Sequence, residues 1–190
     1  MDQFWKLSAA GFAATAITYG PARMGFGLFL PDFRADFALS SGMAGLISSL
    51  GFLGMLAGLV AAYATLALSG PRAPVLFGLG LATAGMALVA TAPSLPVLTG
   101  GIVLAMTSAG FAWTPFNNIV HRRLSYEARP SALAIISTGT GLGIAAAGAA
   151  ALAVSLSGLP WRASWAVFAG LGALALLSNA AVLCKPSGPL

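Results

Sequence analysis

Few side chains in this sequence can do chemistry, and the most unusual is a permanent cation in apolar surroundings. In "PARMGFGLFLP", residues 21–31, Arg23 stands among apolar and small residues. The flanks, from Leu7 through Tyr19 and on to Leu30, are nearly as apolar. A guanidinium cannot shed its charge, and its planar fork meets a carboxylate through two parallel charge-assisted hydrogen bonds. Tyr19, four residues earlier, falls on the same helix face. A later apolar run holds Trp113, Asn117 and Asn118, with Pro115 between them as an expected kink, and another holds Ser137, Thr138 and Thr140. The candidate binding residues for a small anion are therefore Arg23, Tyr19, Trp113, Asn117, Asn118 and Thr140. Each has a plainer alternative. Arg23 can snorkel to headgroups or cap carbonyls, the aromatics can pack, and either Asn can hydrogen-bond a neighbouring helix.

Other chemistries lack their residues. A single cysteine, Cys184, excludes an internal disulfide and any cysteine-only metal site. It is expected to pack or to face lipid. A single histidine, His121, excludes a multi-His metal site, and it reads as an interfacial residue rather than a proton relay. No carboxylates pair at helical spacing within an apolar run, and neither G-x-S-x-G nor a Walker-type loop is present. We expect no catalytic residue, no metal, no cofactor and no enzyme activity. No basic stripe with interleaved aromatics is present, so nucleic acid is not an expected partner.

The elements that must position these residues follow from composition. The 190 residues are 58% hydrophobic and only 7% charged, with a mean hydropathy of +0.92. A soluble fold would lack the polar surface to cover itself, since soluble domains are about 25% charged. The chain therefore reads as an all-α polytopic membrane protein, a single domain over residues 1–190. A bilayer core of about 30 Å needs about 20 helical residues. Apolar runs of that length suggest six spans, at Lys6–Leu30, Ser41–Leu68, Arg72–Thr91, Leu95–Val120, Ser131–Leu156 and Trp161–Leu183. "MDQFWKLSAAGFAATA" reads as the start of the first span rather than a cleaved signal, because the apolar run continues to Leu30.

With the N-terminus inside, Lys6, Arg72, Arg122, Arg123, Arg129 and Lys185 are cytoplasmic, and only Arg34 and Arg162 are outside. The positive-inside rule then puts both termini in the cytoplasm, in a cell (inner) membrane. Trp5, Trp161 and Trp165 fall near span ends, where interfacial aromatics are expected. Gly51, Gly54 and Gly58 in the second span, and Gly139, Gly141, Gly143 and Gly148 in the fifth, allow close backbone approach.

A faint internal echo suggests a 3+3 inverted repeat. "GFGLFLP" at 25–31 and "GFAWTPF" at 110–116 each come late in the first span of a three-span unit, ahead of a charged loop. "YGPARMGFGLFLPDFRADFALSSGMAGLISSLGFL", "SGPRAPVLFGLGLATAG" and "FNNIVHRRLSYEARPSALAIISTGTGLG" together resemble the major facilitator superfamily over nearly the whole chain. The branch that they most resemble is the monocarboxylate and oxalate–formate porters. The second-to-third loop departs from the superfamily signature Gly-x-x-x-Asp-Arg-x-Gly-x-Arg. Aligned on Gly70 and Arg72, it has Tyr63, Ala67 and Leu68 where Gly, Asp and Arg would stand.

The resemblance implies twelve spans in two parallel halves, with substrate between them. The six spans read here match the N-terminal half. We therefore expect a half-size transporter that pairs in parallel with a second copy of itself. The pair would move small mono- or dicarboxylates by alternating access through a cavity lined by Arg23, by symport or antiport, with exchange favoured. The alternatives are a heterodimeric carrier and a non-transporting assembly or regulatory subunit, toward which the missing Asp-Arg leans.

Overall fold

A computed structural model describes residues 2–184, and no strand occurs among them. Lys185, counted above among the cytoplasmic cations, lies outside the described residues. Among the described residues, five helical stretches are long and apolar enough to cross a membrane. They are α4 (Ser41–Ser69), α5 (Arg72–Ala90), the stretch Leu95–Arg123, α8 (Arg129–Ser157) and α9 (Trp161–Leu183).

The expected first span is not one helix. It is α1 (Asp2–Tyr19) and α2 (Pro21–Leu28), parted at Gly20, whose ψ of −106° leaves the helical region. Pro21 has no N–H to give to a preceding carbonyl, and its ring crowds the turn before it. The ladder closes around the break. Gly20 donates to the Ala16 carbonyl at 3.0 Å, and Met24 donates to the Gly20 carbonyl at 2.9 Å. The result is a kink rather than a separation. A short α3 (Leu30–Phe37) then ends at Ala38 in the left-handed region, with φ 50°.

The fourth span is also interrupted, just ahead of the expected position. It comprises α6 (Leu95–Ser108), a 3-10 turn at Ala109–Phe111, and α7 (Trp113–Arg123). Two long hydrogen bonds mark the turn, Ala112 N–H to the Ala109 carbonyl at 3.5 Å and Phe116 N–H to the Ala112 carbonyl at 3.4 Å. Tightening the chain here puts Pro115 in the first turn of α7, where its missing N–H costs nothing.

The helices pack in a reciprocal pattern. α1 lies on α8 and α9, α4 lies on α6 and the 3-10 turn, and α5 lies on both α6 and α9. Several of these crossings depend on glycine. A Cβ at Gly20 would meet the Gly143 backbone, and one at Gly110 would meet the backbone of Gly58 and Leu59. Two buried polar side chains secure α1. Thr15 Oγ1 donates to the Ile136 carbonyl of α8 at 2.6 Å, and Asn179 Nδ2 of α9 donates to the Ala10 carbonyl at 3.1 Å.

Two of the three expected interfacial tryptophans are in the core. Trp165 is fully buried and Trp161 nearly so, while Trp5 is exposed. The cause is α3, which lays Phe33 against Trp161 with centroids 4.9 Å apart, while Phe29 lies 5.9 Å from Trp165. Above this cluster Asp36 accepts from Trp161 Nε1 and from Arg162 Nη1, each at 2.8 Å. Arg162 also donates to the Ala92 carbonyl at 3.0 Å, tying α3, α9 and the loop after α5 together at one end.

Candidate anion-binding site

Arg23 lies in α2, just past the kink, and is half-buried. The kink keeps it on the face of Tyr19, and its guanidinium carbon sits 5.5 Å from the Tyr19 ring centroid. That geometry is a cation–π contact, worth about 0.5–1 kcal/mol when exposed and about 2 when desolvated. Among the described residues it is the only charge-compensating contact of Arg23, which makes no ion pair or hydrogen bond with them. Its Nε is buried without a partner. The acids Asp2, Asp32, Asp36 and Glu127 all lie outside the apolar stretches of the chain.

The remaining candidates are on neighbouring elements. Trp113, Asn117 and Asn118 are on α7, and Thr140 is on α8 one residue past Gly139. α8 packs against α1, α2 and α7, so the elements carrying all six residues adjoin. Arg23 and Tyr19 are the two that the fold joins by direct contact. No hydrogen bond or ring contact links Trp113, Asn117, Asn118 or Thr140 to Arg23. Trp113 is 38% exposed, and Asn117 and Thr140 are half-buried. Asn118 is half-buried as well, and its Oδ1 is buried without a partner.

A buried unpaired polar atom costs about 1–3 kcal/mol. Arg23 Nε and Asn118 Oδ1 are thus a donor and an acceptor that gain from water or a ligand. A guanidinium on an aromatic face, with no carboxylate to satisfy it, suits an incoming anion. Among the described residues no group of three or more His, Cys, Asp or Glu side chains is placed to hold a metal.

Sequence reading missed Thr15 and Asn179 as the anchors of α1, although each is a small polar residue inside an apolar run. It also expected Cys184 to pack or to face lipid. The thiol instead accepts from Arg72 Nη2 at 2.6 Å, at an exposed polar end.

No curated protein matches the chain. The family profile described as Major Facilitator Superfamily matches residues 11–189, from within α1 to beyond the end of α9. With that match over nearly the whole length, and with apolar helices long enough to cross a bilayer, the chain belongs to the major facilitator superfamily of transporters and is a multi-pass membrane protein.

Proposed function

We propose that the chain is a six-span transporter bundle for small organic anions, with Arg23 as the anion-binding cation. The observation that carries this reading is the Arg23 guanidinium, stacked on Tyr19, with a buried and unpartnered Nε and no ion pair among the described residues. Insertion of Arg near a helix centre costs roughly 2.5–3.5 kcal/mol, and such residues usually face a bundle interior or a water-filled cavity. A mono- or dicarboxylate would satisfy the fork. Exchange fits better than proton coupling, because the apolar stretches carry no carboxylate to titrate.

The reciprocal packing supports a 3+3 inverted repeat. The first span of each unit, α1–α2 or α6–α7, is broken and lies on the second span of the other unit, α8 or α4. In that reading α1 and α2 together form the sixth crossing. The opposite wall of the cavity is a second bundle in the same orientation, and a second copy of this chain supplies it, because two-fold pairing is the commonest closed assembly. Two Arg23 residues would then face one path. The cation asymmetry supports a reading with both termini on the cytoplasmic side of a cell (inner) membrane.

The test is exchange of labelled mono- and dicarboxylates in proteoliposomes. Arg23→Ala should lower exchange roughly 10- to 100-fold, the loss of a hydrogen bond to a charged group worth about 1.5–3 kcal/mol. Arg23→Lys should fall between, because it keeps charge without the fork. Normal exchange by Arg23→Ala would refute the anion site. Single-particle imaging tests the pairing, and a pair with α1 and α2 turned toward lipid would refute the shared path.

A further inference from the structure

At the opposite end of the bundle from Asp36, three arginines line one cleft. It has a volume of about 230 Å³, and its walls include Ser69, Pro71, Arg72, Ile119, Arg122, Arg123 and Leu183. The wall residues come from the end of α4, the start of α5, the last turns of α7 and the end of α9. Four elements therefore bring three cations together. Mutual repulsion among like charges at this spacing is costly unless something offsets it. Among the described residues, no carboxylate pairs with any of the three.

The partners they do have are weak or distant. Arg72 donates to the Cys184 thiol, and Arg123 reaches the Leu183 carbonyl at 3.4 Å. Arg122 has no hydrogen bond among the described residues. A guanidinium carries five N–H donors, so most of those in the cleft are free. Two further features favour negative charge. Ser69, a hydroxyl residue, is among the wall residues, and the N-terminus of α5 opens there with no side-chain cap. Uncapped N–H groups and the positive helix end attract anions.

We propose that this cleft binds the phosphate group of an anionic lipid headgroup. The size fits, since the space is several times the roughly 30 Å³ of one water molecule and smaller than the 300–1,000 Å³ of a typical small-molecule site. The setting favours lipid as the source of the phosphate. The cleft lies at the ends of membrane-crossing helices, and the flank of α4 beside it is apolar and exposed, with Leu68 87% accessible. An acyl chain can follow that flank while the headgroup meets the arginines. The site is separate from Arg23 and does not depend on what the protein carries.

Native mass spectrometry of the full-length protein, released from micelles doped with phosphatidylglycerol or phosphatidylcholine, tests this. We expect one phosphatidylglycerol to be retained about tenfold more strongly than phosphatidylcholine. Arg122→Gln, which breaks no hydrogen bond, should weaken retention severalfold, and the triple change R72Q/R122Q/R123Q should abolish the preference. Lys6→Gln, which removes one cation elsewhere on the chain, should leave it intact. Equal retention of both lipids, or an equal loss in Lys6→Gln and Arg122→Gln, would overturn the site in favour of diffuse attraction. Inorganic phosphate at millimolar concentration is the second arm. If it raises the melting temperature in lipid-free detergent, and phosphatidylglycerol shows no preference over phosphatidylcholine, a soluble phosphate is the ligand and the lipid assignment fails.

Discussion

Arg23 and Tyr19 meet because the break at Gly20–Pro21 bends the chain without shifting its helical phase, so an i,i+4 relation survives the kink. The contact gives Tyr19 a role that packing alone does not. Tyr19→Leu removes the ring beneath the guanidinium and should weaken anion binding about 2- to 5-fold, corresponding to about 0.5–1 kcal/mol. Isothermal titration with the best exchanged anion measures this, and an unchanged affinity would reduce Tyr19 to packing. Beyond the far end of the first span, Asp36 is bonded to Trp161 and Arg162. The Trp161 indole N–H, ahead of Arg162, holds its carboxyl below the ordinary 3.8, while partial burial opposes this. A carboxyl lowered by folding contributes stability that is fully present above its unfolded value. That contribution is lost as pH falls through the folded value. The melting temperature of the wild type should therefore fall as pH drops below about 4, and it should fall less in Asp36→Asn. High salt should shrink the difference, because the Asp36–Arg162 pair is about two-fifths exposed on each side.

Among the elements, α8 shows how small residues divide between two tasks. Gly143 faces α1, where a Cβ would run into the Ala16 backbone, while a Cβ at Gly141, two residues earlier, meets nothing within 4 Å. Gly143→Val should therefore cost about 1–3 kcal/mol through forced separation of α1 and α8. Gly141→Ala should be neutral or gain up to about 1 kcal/mol, because it only removes backbone freedom. Thermal melting of the purified protein in detergent separates the two, and equal effects would contradict the crossing. Thr15→Val tests the same crossing from the other side. It removes the hydrogen bond to the Ile136 carbonyl at nearly constant volume and should cost about 0.5–1.5 kcal/mol. The glycines of α8 were visible in the sequence. Which of them carry the crossing was not, because a helix offers several faces and only the packed neighbour selects one.

For the whole molecule, composition alone settled the class. A chain with 7% charged residues cannot present a soluble surface, and runs of about 20 apolar residues satisfy their backbone hydrogen bonds in lipid only as helices. The helical stretches α4, α5, α6–α7, α8 and α9 could be read within a few residues, since charged loops and Pro or Gly breaks bound each apolar run. The candidate site was legible only as residue types: a cation, an aromatic one turn away, and amides in a later helix. Long-range packing decided the rest. It fixed the residue before the local break that Pro21 makes as glycine, because the neighbouring Gly143 backbone leaves no room for a side chain at Gly20. It drew Trp161 and Trp165 off the interface into the core, because α3 folds back and supplies Phe29 and Phe33 as partners. It also gathered Arg72, Arg122 and Arg123 around one cleft from parts of the chain about 50 residues apart, a spacing that no local rule relates. Hydrophobicity and helical period are properties of a segment and are written in the sequence. Which side chains meet across helices depends on the simultaneous fit of several segments, and only the folded bundle determines it.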